Sequence, residues 1–129
     1  MKTACFFSYT GPGRISIARW APRGTPAGFR ILKALAPHRH MLKMDYWPYR
    51  EEYFRDILGP LDPQETWDRL HDMASGHEPV ILCWERPPLS PDNWCHRQLV
   101  ALWFQDELGK HVPELERAGG TAPPPSGGT

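Results

Sequence analysis

The segment Val80-Ile-Leu-Cys-Trp-Glu85 constrains the fold of this chain more than any other. It is apolar without alternation until its last residue and β-branched at its start. Gly76 bounds it on one side, and Pro87, Pro88 and Pro91 on the other. A strand with no polar face must be covered on both sides, as in the middle of a parallel sheet with helices on its faces. The segment therefore predicts a central strand over 80–85. One domain is enough to hold it: 129 residues, 40% hydrophobic, with six Trp, five Phe and four Tyr, supply a single core.

The remaining elements are read around that strand. Ala4–Tyr9 is short, aromatic and followed by Gly11-Pro12-Gly13, and predicts a first strand. Arg14–Trp20 places Ile15 and Ile17 on one side and predicts a second. Their link, Thr10–Arg14, is shorter than the roughly dozen residues of a helical crossover. The two strands are therefore either antiparallel or joined by a crossover reduced to a loop. Thr25-Pro26 reads as a cap with proline at the first helical position, followed by Phe29, Leu32 and Leu35 at helical spacing until Pro37. Pro48 opens a second helix through Tyr49, Tyr53, Phe54, Ile57 and Leu58, closed by Gly59. Asp62-Pro63-Gln64-Glu65 is a capping box before Trp67, Leu70, His71 and Ala74. Asp92 or Asn93 caps a last helix that turns Leu99, Val100, Leu102, Trp103 and Phe104 inward. Trp47, Trp67 and Trp103 sit at helix-face positions and read as core. The fold class is α/β, with a small, at least partly parallel sheet covered by helices. Residues 1–116 form the domain, and the Gly/Pro-rich residues 117–129 are expected to be a disordered tail.

Charge and cysteine usage narrow the setting. Lys+Arg and Asp+Glu are 15 each, so no global field favours nucleic acid or an anionic membrane, although a local basic patch is compatible with that balance. Three cysteines with no CxxC pair suit a reducing compartment better than a disulfide framework. The apolar run near Met1 is too short for a signal peptide, and no window reaches the ~20 apolar residues of a membrane span. A cytoplasmic protein without membrane contact is expected.

Ligands of open α/β sheets bind beyond the carboxyl ends of the strands. Those ends carry Tyr9 and Gly11, then Arg19, then Cys83-Trp84-Glu85 and the proline loop to Cys95-His96-Arg97. The expected cap places Cys95 in the first turn of a helix, where backbone N–H groups and the dipole favour a thiolate. Cys95 is then a nucleophile, or Arg97 is the fork of an anion pocket. The plainer alternative makes Cys95 a small apolar filler, with His96 and Arg97 bonded to the loop. Glu85 is either a general acid/base or a partner for Arg97 or Arg19. Cys5 and Cys83 read as core. Gly11-Pro12-Gly13-Arg14 is a turn rather than a phosphate loop. Adjacent Cys-His is awkward for one tetrahedral centre and no C-x₂₋₄-C spacing exists, so no metal is expected. Arg97 follows Cys95 by two residues, which excludes the Cys-x₅-Arg phosphatase loop.

These stretches resemble the DUF488 family. The likeness lies in SYTGPGR, ISIAR, RGTPAGF, LAP, YREEYFRDIL, LDP and above all VILCWERP followed by WCHRQLVALW, and it covers roughly residues 3–108. The chain departs from the family in having no helix between the first two strands. It also reads Ile17-Ala18-Arg19 where the family often has Asp-Val-Arg. The resemblance implies a Rossmann-like domain and a polar site of Arg19, Glu85, Cys95, His96 and Arg97. It points toward nucleotide or nucleic-acid substrates without supplying a reaction.

The expectation is a small cytoplasmic enzyme acting on an anionic, nucleotide-like or nucleic-acid substrate. Cys95, His96 and Glu85 are the catalytic candidates. Arg97, Arg19, Tyr9, Gly11 and Arg14 are the substrate-binding candidates, and no cofactor is expected. The alternative is a non-catalytic phosphate-binding module, and a third reading makes Cys-His-Arg purely structural.

Overall fold

The computed structural model describes residues 1–86 and 89–115; the expected tail at 117–129 lies outside them. Among these residues four strands form one sheet: β1 (Lys2–Cys5), β2 (Arg14–Ser16), β3 (Arg30–Ile31) and β4 (Val80–Cys83). Their order is β1-β4-β2-β3 and every pairing is parallel. All four residues of β4 are buried, and Cys5 and Ser16 flank Cys83 and Leu82 in register. The unalternating run therefore sits where it must, between two strands and under helices.

The link between β1 and β2 is a crossover without a helix. Residues 6–13 return to the start of a parallel strand two positions away, on the far side of β4, because the strands are short. Eight residues at up to ~3.5 Å each easily span four residues of strand. Gly13 closes this return. It adopts φ 82°, and its carbonyl accepts from Val80 N at 2.8 Å. A Cβ there would lie 2.1 Å from the Glu78 carbonyl oxygen.

The helix expected after Thr25-Pro26 does not form. Gly24 and Gly28 take φ 81° and 106°, and the Arg14 guanidinium donates to the carbonyls of Pro26 and Ala27. Those oxygens are thus withdrawn from any first helical turn. Arg30–Ile31 instead pairs with β2, and a 3₁₀ turn over Lys33–Leu35 buries Leu35. The other helices stand close to expectation. Helix α1 (Tyr46–Glu52) runs into a π-helical turn over Tyr53–Leu58. Helix α2 (Pro63–Met73) is capped by the Asp62 carboxylate, which accepts from Glu65 N at 2.8 Å.

Helix α3 (His96–Leu108) starts later than expected. Ser90 and Asn93 pair with each other across a tight loop, and Asn93 Nδ2 donates to the Arg86 carbonyl, so Cys95 becomes the N-cap. Leu99, Val100, Trp103 and Phe104 turn inward, whereas Leu102 is exposed. Residues 113–115 run beside β1, with Thr3 N donating to Pro113 O and Leu115 N to Thr3 O. Among the described residues no helix is long and apolar enough to cross a membrane.

Candidate functional site

A cavity of about 420 Å³ opens beyond the carboxyl ends of β2 and β4. Its size lies within the range of about 300–1,000 Å³ typical of small-ligand pockets. Residues 18–20 after β2, residues 83–85 at the end of β4 and residues 92–96 at the entry to α3 supply most of its wall, and Pro37, Leu42 and Tyr49 complete it. The carboxyl edge of the sheet, residues 92–94 and the start of α3 thus converge on one space.

Of the residues expected to form a site, Arg19, Glu85, Cys95 and His96 line this cavity. Arg19 is exposed, with its guanidinium carbon 5.2 Å from the Trp20 ring centroid. Glu85 is exposed as well, and its charge adds to burial in holding the Tyr49 phenol above its ordinary range. His96 is buried under Tyr53, their rings 5.5 Å apart. Its Nε2–H donates to the Ile17 carbonyl at 2.6 Å. That bond leaves the Nδ1 lone pair facing Cys95 Sγ at 3.9 Å. Burial, and then the nearby Arg97 charge, lower His96 to about 4, so the ring is neutral near pH 7.

Cys95 is not a free thiol in a first turn. It forms a disulfide with Cys83 across a Cα–Cα distance of 6.7 Å, and Cys5 is the one free cysteine. The end of β4 and the N-cap of α3 bring two residues twelve apart within the usual bridging distance. The expectation of unpaired thiols is corrected accordingly. In this oxidised form Cys95 holds no nucleophilic sulfur.

Arg97 does not reach the cavity as a substrate fork. It is fully buried, and its Nε and Nη2 donate to the Glu114 carboxylate at 2.9 and 2.8 Å. Nη2 also donates to the Glu85 carbonyl at 2.8 Å, and Nη1 lies 3.4 Å from Cys83 Sγ. Its carboxylate partner is Glu114 rather than the Glu85 side chain. The guanidinium fastens residues 113–115 to the loop after β4.

Tyr9, Gly11 and Arg14 lie outside the cavity wall as well. Arg14 opens β2, at the amino end of a parallel strand, and is buried with bonds to three carbonyls, those of Gly11, Pro26 and Ala27. Tyr9 OH donates to the Pro12 carbonyl. The trio organises the return loop instead of a ligand.

The sequence reading missed the aromatic wall. Trp20, Trp84 and Trp94 all line the cavity. Trp20 and Trp84 are 56% and 43% exposed, tied together by Trp84 Nε1 donating to the Trp20 carbonyl at 2.7 Å. Trp94 stands edge-on to Tyr49 with ring centroids 4.4 Å apart. The signal was present: each tryptophan adjoins a polar candidate, Arg19, Glu85 or Cys95. Trp47, read as core, is 66% exposed, while Trp103 is buried. Among the described residues two groups bring metal-type donors within 4.8 Å of one another: Cys83, Cys95 and His96 in the cavity wall, and His38, His40 and Glu52 on the surface.

Fold and cavity define a small parallel α/β protein with a cavity at the carboxyl edge of its sheet. Comparison with protein-family models, with curated proteins and with solved structures returned no match.

Proposed function

We propose that the chain is a DUF488-type enzyme that binds an anionic, nucleotide-like substrate in this cavity and acts on it through Cys95 once the disulfide is reduced. The observation that carries the reading is the meeting of Arg19, three tryptophans and the Cys95–His96 pair around one space. Tryptophan faces suit a base or another planar ring, and an exposed guanidinium suits its phosphate. In the dithiol form Cys95 Sγ is the nucleophile candidate, oriented by the neutral His96 ring beside it, with Glu85 placed as general acid/base. Arg97 is a positioning residue: it fixes the loop that carries Glu85 and lies against Cys83.

Alkylation tests this. In dithiol-reduced protein, iodoacetamide should label Cys95 faster than Cys83 or Cys5, and adenosine monophosphate should slow the labelling. Mass spectrometry reads the three sites separately. Cys95 labelling no faster than Cys83 would remove the thiol mechanism. One observation already favours the second reading, a phosphate-binding module without catalysis: Cys95 is 4% exposed and bridged.

A further inference from the structure

We propose that the cavity wall is also a metal site: in the reduced protein Cys83 Sγ, Cys95 Sγ and His96 Nδ1 bind one zinc-type divalent cation, with a fourth position open to the cavity. The three donor atoms lie within 4.8 Å of one another and their residues line the cavity. Zinc takes sulfur at ~2.3 Å and nitrogen at ~2.0–2.1 Å, so a tetrahedral centre needs sulfur and nitrogen about 3.5 Å apart and two sulfurs about 3.8 Å apart. Cys95 Sγ and His96 Nδ1 are 3.9 Å apart, a few tenths from that requirement. The two sulfurs have only to separate once the bridge opens.

Neighbouring groups are arranged as such a site needs. A metal-bound histidine characteristically donates its other N–H to a carbonyl or carboxylate, which fixes the ring and the tautomer. His96 does this to Ile17. Arg97 Nη1 lies 3.4 Å from Cys83 Sγ, where it would donate to a thiolate ligand. The awkwardness of adjacent Cys-His is relieved by the backbone: Cys95 is an extended N-cap at φ −143°, ψ 148°, and His96 begins the helix.

The chemistry balances. A dithiol reductant supplies two electrons and two protons to the bridge and leaves as its own disulfide. Binding the cation then releases both thiol protons as two metal–sulfur bonds form. Two thiolates neutralise the cation, so the wall gains no net charge. Soft sulfur donors select zinc, cadmium or cobalt over magnesium or calcium. The site does not depend on which substrate occupies the cavity, but it uses the same sulfur and nitrogen lone pairs as the proposed thiol step. Metal occupancy and Cys95 alkylation should therefore exclude each other.

Cobalt(II) titration of untagged, dithiol-reduced protein under anaerobic conditions provides the test. The expected result is a thiolate-to-cobalt charge-transfer band with intense tetrahedral d–d absorption, saturating at one cobalt per chain and displaced by zinc. His96→Ala should weaken binding at least ~10-fold, and Cys83→Ser/Cys95→Ser should abolish the charge-transfer band. Because those variants alter the core, X-ray absorption on zinc-loaded wild-type protein gives a second reading, with two sulfurs in the metal's shell expected. No charge-transfer band in the reduced wild type, or a shell without sulfur, overturns the proposal; the latter would assign the metal to the His38–His40–Glu52 surface group. Arg19→Ala separates the two readings: it should impair nucleotide binding and leave cobalt binding unchanged.

Discussion

Replacing Glu114 with alanine lowers the stability of the protein by about 3 kcal/mol, the cost of leaving a buried charge without its partner. Arg97 is fully buried, and Glu114 supplies the only carboxylate bonded to it among the described residues. Glu114 also accepts from the Thr3 hydroxyl at 2.6 Å, so the substitution loosens residues 113–115 from β1 as well. For a domain of this size the loss corresponds to a melting-temperature fall of the order of 10–20 °C. The converse variant behaves differently. Arg97→Met leaves Glu114, a quarter exposed, free to hydrate. The pair Arg97→Met/Glu114→Leu should therefore be more stable than Glu114→Ala alone, since apolar isosteres can replace a buried ion pair at little cost. Urea unfolding measures all three. A loss below about 1 kcal/mol for Glu114→Ala would place this pair with exposed surface bridges.

The second large effect is a loss of stability in mild acid that depends on His96. With the disulfide intact, His96 titrates near 4 in the folded chain, against an ordinary value of 6.5. Its contribution is fully present above pH 6.5 and is lost as the pH falls from about 6.5 to about 4. In that interval the unfolded chain binds a proton that the folded chain refuses. At about 1.4 kcal/mol per pH unit the loss reaches about 3 kcal/mol by pH 4. The surroundings agree with the sign. Tyr53 covers the ring, Arg97 adjoins it, and the Ile17 carbonyl already holds Nε2–H, so protonation at Nδ1 would place a second buried cation beside the guanidinium. Denaturant midpoints at pH 7 and pH 4.5 should differ markedly in the wild type and much less in His96→Gln. An equal acid response in both would show that other groups govern it.

The central strand, the capping box and the boundary at Gly59 were legible because each depends on local chemistry: an unalternating apolar run, a carboxylate three residues before an N–H, a glycine after an apolar face. The same local reasoning failed at Thr25–Pro37. There Arg14, a dozen residues upstream, takes the carbonyls a helix would need. The site divides in the same way. Arg19, Glu85, Cys95 and His96 were readable as residues at strand ends and a helix start. The engagement of Arg97 by Glu114 was not, because it depends on residues 113–115 returning to β1, and nothing in those residues announces a sheet partner. The Cys83–Cys95 contact needed the length and path of the proline loop, which composition does not supply.

The six tryptophans give the most direct test that this cavity is a nucleotide-type site, because three line it and three do not. Their indole Nε1–H signals in a ¹⁵N–¹H correlation spectrum can be followed during titration with adenosine monophosphate. Saturable shifts of Trp20, Trp84 and Trp94 are expected, with still signals for Trp47, Trp67 and Trp103 and loss of the shifts in Arg19→Ala. Unmoved signals for the cavity tryptophans at millimolar nucleotide, or shifts confined to the other three, would contradict it.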